Sequence, residues 1–305
     1  MSPRVVLAGY APPESVHSRG LDRIATLLQD WLGADVEVAV RHNVLDSGRQ
    51  VHELLDDVEN GAVSLCYFST SYLADRVPAL AVLDLPYVFD SLADAHRRLD
   101  GELGRTLSEL TEAATGLLPQ GYWDNGFRHL SNRHREIAEP EDCQGLRIRL
   151  QPSWAHERFF TELGAQPVPT DLRDGIAMIT AGAVDAQENP LANFVTYGVD
   201  RVHPHLTLTG HAYGARGLYA SSSQLRAWPP SLREALNRAV ALAVREQRAA
   251  AAAAETALAD SLQRSGTRIL RLSAANLAKF KKASLPVLAQ AGRDVGAELL
   301  RLVTD

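Results

Sequence analysis

Residues 231–265 contain neither proline nor glycine and include the alanine run Ala249–Ala254. Helix propensity is therefore high throughout, and at 1.5 Å per residue a helix here extends to roughly 50 Å. One small domain cannot cover an element of that length. The stretch also lacks a sustained heptad of large apolar residues, which argues against a coiled coil. A strut running across two lobes accounts for it better.

The rest of the chain supports two lobes of α/β class. Its 305 residues suit about two domains. In the first half, short apolar runs alternate with helical patterns. Strands are expected at Val5–Gly9, Val36–Val40 and Val63–Phe68. Helices are expected around Gly20–Leu32 and over Val51–Glu59, the second stopping at Asn60-Gly61. Ser69-Thr70-Ser71 reads as a polar loop after a strand, where ligands sit in open α/β sheets. Leu92–Ala114 reads as helix and Gly116–Tyr122 as strand. From Asn125 to about His211 the pattern changes to short strands with helices near Ser153–Leu163 and Arg173–Ala181. Ala212–Ala220 then reads as a strand returning to the first lobe, and Thr267–Leu272 with a helix from Ser273 closes the chain. Residues 1–124 with 212–250 are thus assigned to lobe I, and 125–211 with 251–305 to lobe II.

A net charge of -6 argues against nucleic acid or an anionic membrane surface as the main partner. If the ligand is an anion, a local pocket must attract it. No run approaches the ~18 apolar residues of a membrane span. The N-terminus lacks a leader pattern, so the chain reads either as cytoplasmic or as one whose leader has been removed. Cys66 reads as core and Cys143 as part of a polar loop; two cysteines make neither a disulfide framework nor a metal cluster.

Three polar residues stand at the ends of apolar runs: Arg128, Arg149 and Asn189. Arginine is costly to bury alone, and its planar fork of donors matches a carboxylate. The pattern fits a pocket for an organic anion, and equally an internal salt bridge. Reactive constellations are missing. No phosphate-binding glycine loop or nucleophile elbow occurs, the serine run Ser221–Ser223 has no base at useful spacing, and the ten histidines form no tetrahedral ligand set. The balance favours a binder without cofactor or metal over an enzyme.

The motifs Gly126-Phe127-Arg128, Pro140-Glu141-Asp142 and Gly145-Leu146-Arg147-Ile148-Arg149 occur in that order. Leu163-Gly164-Ala165 and Val184-Asp185-Ala186-Gln187-Glu188-Asn189-Pro190 follow them. Together with Val82–Tyr87 and Asp100–Gly104 they resemble the solute-binding proteins of TRAP transporters (DctP type), over nearly the whole chain. The resemblance implies a two-lobed periplasmic binding protein fold with a hinge and a long helix spanning both lobes. It implies capture of a small organic acid (a hydroxy or keto acid, a dicarboxylate or a sugar acid), periplasmic location after loss of a leader, and delivery to the small and large TRAP membrane subunits by a monomer. A sensory ligand-binding module and a cytoplasmic enzyme acting on a carboxylate are the competing readings. By the same resemblance Arg149 pairs the ligand carboxylate, Asn189 hydrogen-bonds it and Arg128 assists. First-lobe loops near His17, Ser71 and Tyr72 are expected to reach the rest of the ligand. Trp123, with Tyr87 and Phe89, is a candidate cleft lining as well as a candidate core residue, and His211 and Tyr213 are hinge or cleft candidates. Departures occur at Asp174-Gly175-Ile176, where the family often has Glu-x-Tyr, and at Leu172, where sialate-binding relatives have a packing phenylalanine. These argue against a sialic acid specialist.

Overall fold

The computed structural model describes residues 2–304. By internal contacts the chain divides into two compact units. The first comprises residues 1–69, 105–124 and 215–252, and the second comprises 70–104, 125–214 and 253–305. The α/β class is as expected. The strands are β1 (Arg4–Ala8), β2 (Glu37–Arg41), β3 (Leu65–Ser69), β4 (Leu117–Asn132), β5 (Arg147–Leu150), β6 (Gln166–Pro169), β7 (Ala186–Asn189), β8 (His205–Ser221) and β9 (Arg268–Arg271).

In the first unit β1 lies between β2 and β3, parallel to both (Val6↔Ala39, Leu7↔Leu65). β3 also pairs antiparallel with the C-terminal half of β8 (Leu65↔Ala220). The helix Val16–Leu32 starts where the Ser15 side chain accepts from the Ser18 N–H, and it buries Gly20, Leu21, Ile24, Leu27 and Leu28. That i, i+3, i+4 stripe is what an amphipathic helix presents to a core. Gly20 is needed for packing: a Cβ there would lie 2.6 Å from the Trp123 ring.

In the second unit β7 sits between β4 and β5, antiparallel to the first (His129↔Asn189) and parallel to the second (Arg149↔Gln187). β6 continues the sheet beyond β5 (Arg149↔Val168), and β9 pairs parallel with the N-terminal half of β8 (His205↔Arg268). One core cluster joins Ile179, Val184, Leu191, Phe194, Val199, Leu206 and Leu262.

The long helix spans Pro230–Arg264, with residues to Ala252 in the first unit and from Ala253 in the second. Among the described residues no helix is long and apolar enough to cross a membrane.

Several expectations need correction. Residues 70–104 belong to the second unit, because the turn Pro78–Asp84 packs on the helices Trp154–Glu162 and Ala297–Thr304. The span Leu92–Ala114 is two helices, Leu92–Leu99 and Glu102–Thr115. The first helix ends at Asp100 and the chain bends at Gly101, and a Cβ on Gly104 would lie 1.8 Å from the Leu99 carbonyl oxygen. Thr70–Leu73 is a short helical turn with Thr70 and Ser71 buried, and Cys143 is buried in the turn Pro140–Cys143. Three helices, not one, follow Ser273.

Candidate functional site

Alternation along a strand sends adjacent side chains to opposite faces of a sheet. The registers of β4, β5 and β7 therefore sort the expected residues into two sets. Arg149, Gln187, Asn189 and His129 share one face, whereas Arg128 and Glu188 share the other.

On the first face Arg149 is buried at 1% exposure. Its Nη2 donates to the Thr170 carbonyl at 2.8 Å and lies 3.3 Å from the Tyr72 hydroxyl, while Nε donates to Thr170 Oγ1 at 3.3 Å. Thr170 is itself held by its N–H on the Leu150 carbonyl at 3.0 Å. All three contacts are to uncharged oxygens, and among the described residues no carboxylate lies within ion-pair distance of Arg149. Nε and Nη2 are thus committed to the protein, and Nη1 is the part of the guanidinium without a contact among the described residues. Burial pushes the Tyr72 phenol up, more than the neighbouring Arg149 charge pulls it down. The phenol stays protonated.

Asn189 is held by the same logic. Its Oδ1 accepts from Asn193 Nδ2 at 2.9 Å, and its Nδ2 lies 3.3 Å from Gln187 Oε1. The Nδ2 group keeps one N–H beyond the Gln187 contact, a donor of the kind that can meet a carboxylate. Gln187 is fully buried beside Arg149, and its Nε2 has no partner among the described residues. Gln187 and Thr170 lie against Arg149 and are candidates that strand-end arginine reasoning missed; the two-residue offset from Asn189 was the available signal for Gln187. Leu172 is buried one helical turn before Gly175 on the helix Leu172–Ala181. Ser71 joins this unit, not the first: its hydroxyl donates to Asp84 Oδ1 and accepts from Gln151 Nε2, both at 2.6 Å. Tyr72 likewise belongs here.

On the opposite face Arg128 forms a bidentate ion pair with Glu188, both side chains being buried. Its Nη2 also donates to the Glu188 carbonyl at 3.0 Å, and among the described residues Nη1 has no partner. The structure therefore does not bring Arg128 beside Arg149 on the sheet. His211 Nε2 lies 3.4 Å from Glu188 Oε2, and its Nδ1 lies 2.7 Å from Thr209 Oγ1. Burial alone would raise the Glu188 carboxyl; the Arg128 charge, with His156 and His211, overrides it and holds the group well below the usual carboxylate range. Tyr213 packs its ring between Phe89 and Phe127, at 5.5 and 5.9 Å. A separate recess of about 300 Å³ in this unit, lined by Tyr87, Phe127, His129, Glu255 and Lys281, contains neither Arg149 nor Asn189.

In the first unit His17 Nε2 lies 3.0 Å from the Asp124 carbonyl, and its ring packs against Tyr67 and Trp123. Trp123 is fully buried and serves the core. The Arg216 guanidinium lies over the Tyr10 and Tyr67 rings at 4.8 and 5.3 Å.

Burial pushes His211 down to about 4, against the pull of Glu188. An unfolded histidine titrates near ~6.5, so between these values the unfolded chain binds more protons and stability falls as pH falls. The expected contribution reaches roughly 3 kcal/mol across the window. Urea unfolding at pH 7 and pH 4.5 should reveal a smaller acid loss in His211→Gln than in the wild type; equal losses would count against this role.

Comparison with known proteins gives a consistent result. The chain is 31% identical over 193 residues to a solute-binding protein of Verminephrobacter eiseniae, covering 63% of this chain and 57% of that protein. It thus matches little more than half the length of that relative. A TRAP periplasmic solute binding protein from Sulfurospirillum deleyianum, solved with bound succinate, superposes with a TM-score of 0.92 at 27% identity over 99% of both chains. The sugar acid binding protein DctPAm from Advenella mimigardefordensis, in complex with galactonate, superposes with a TM-score of 0.94 at 25% identity, over 100% of this chain and 98% of that one. The profile of the bacterial extracellular solute-binding proteins, family 7 (DctP), matches residues 7–294, and the chain belongs to that family.

Proposed function

We propose that this chain is the extracytoplasmic receptor of a TRAP transporter. It captures a small organic acid by one carboxylate and delivers it to the small and large membrane subunits. The observation that carries this reading is the buried Arg149 guanidinium, which meets only uncharged oxygens in the protein. A buried charge without a counter-charge costs several kcal/mol, and a ligand carboxylate on the Nη1 side offsets that cost. On this reading Asn189 Nδ2 is a further donor and Tyr72 lies beside the anchor, whereas Arg128, paired with Glu188 on the opposite face, stands apart from the clamp. The acids held by the two related structures, succinate and galactonate, have a carboxylate in common and little else. That supports a fixed anchor with variable surroundings, and a ligand among hydroxy acids, keto acids, dicarboxylates and sugar acids.

On this reading the protein works in the periplasm and changes no covalent bond. A thermal-shift panel of such acids should raise the Tm for at least one member, and mass spectrometry should recover that acid unchanged. Turnover of the acid, or no stabilisation by any of the panel, would overturn the proposal.

A further inference from the structure

Gly175 lies in the first turns of the helix Leu172–Ala181, its N–H bonded to the Asp171 carbonyl at 2.9 Å. Its φ is not positive, so the backbone has no need of glycine there, and alanine would ordinarily be the better helix former. The reason for glycine is on the other side of the side-chain position. A Cβ at residue 175 would lie 2.2 Å from Arg149 Nε, 2.9 Å from Cζ and 3.0 Å from Cδ. The guanidinium occupies the space that a side chain on this helix would fill.

We infer that Gly175 is a positioning residue for the ligand anchor: its missing side chain lets Arg149 lie against the helix backbone, where Thr170 fixes its orientation. This rests on the reading of Arg149 as the carboxylate anchor. The Nε and Nη2 contacts to Thr170 are made with the guanidinium in that recess. With them formed, the planar fork has one orientation and presents one end. A methyl group at 175 pushes the guanidinium away by about 1 Å to restore ordinary van der Waals spacing. Arg149 is a flexible side chain, so it moves while the helix stays. The Thr170 contacts break, and the donors no longer match both oxygens of a carboxylate. Binding then weakens by roughly 10- to 100-fold, the loss expected for one charged hydrogen bond.

The test is Gly175→Ala, with two readouts. The first needs no ligand: the Arg149 Nε–H resonance, assigned by its loss in Arg149→Lys, should be protected from exchange in the wild type and unprotected in Gly175→Ala. The second is the Kd for succinate and galactonate by calorimetry. Gly175→Ala should weaken whichever acid binds while the apo Tm holds or rises, and it should add nothing in an Arg149→Ala background. A protected Nε–H in Gly175→Ala, or unchanged affinity, would overturn the inference. A wild type that binds neither acid counts against the ligand reading, and the resonance still decides the role of Gly175.

Discussion

Arg149→Ala is expected to abolish acid-induced thermal stabilisation and to leave the apo protein folded. The wild-type side chain is a buried cation whose protein partners are the Thr170 carbonyl, the Thr170 hydroxyl and the Tyr72 hydroxyl. Removing it strands no buried opposite charge, so the usual reason for collapse after losing a buried arginine does not apply. What disappears is the buried cation on that face of the sheet; Arg147, two residues before it on β5, is paired with Asp185 and half exposed. The loss of affinity should be at least about 100-fold, because the carboxylate would then be desolvated without a charged donor. Arg149→Lys should fail almost as badly. An ammonium is a point charge and cannot hold Thr170 while meeting both carboxylate oxygens. Calorimetry with the acid that stabilises the wild type, and urea unfolding of the apo variants, check both statements. Unfolding of Arg149→Ala would make the arginine structural.

Arg128→Ala should behave in the opposite way and lose about 3–5 kcal/mol of stability, the cost of leaving a buried carboxylate unpaired. Glu188 has no exposed surface, and its bidentate partner would be gone. The loss should depend on pH. In the wild type the depressed Glu188 carboxyl contributes stability above its unfolded value of about 4.3 and loses it as pH falls towards the lower folded value. In the variant burial dominates and the carboxyl is pushed up, so protonation relieves the penalty. The stability gap between the two should therefore narrow as pH falls below neutrality. Replacing both members, as Arg128→Met with Glu188→Leu, should recover most of the stability, since paired removal leaves no uncompensated charge. Urea midpoints at several pH values test this; a constant gap, or a double variant no better than Arg128→Ala, would contradict it.

The contrast between these arginines marks the limit of what the sequence disclosed. Both stand at the end of an apolar run, and composition treats them alike. Only the pairing of His129 with Asn189 and of Arg149 with Gln187 places them on opposite faces. Register is a long-range property, set by which strands meet. The long helix was legible because residues 231–265, free of proline and glycine, have few alternatives. The strand positions followed from apolar periodicity, to within one or two residues for β1, β2 and β3. From the sequence Ser71 reads as part of a polar ligand loop, because its partners, Asp84 and Gln151, are 13 and 80 residues away. Gly175 looked like a departure in a helical stretch; its meaning depends on a side chain from another strand.

The most direct test of the account compares an acid with its own amide. For whichever acid of the panel stabilises the wild type, calorimetry should give at least about 100-fold tighter binding than for the primary amide of the same carbon skeleton, because the amide brings no charge to Arg149. That preference should vanish in Arg149→Ala. Equal affinity of the wild type for the acid and the amide would contradict the claim that a single carboxylate on Arg149 anchors the ligand.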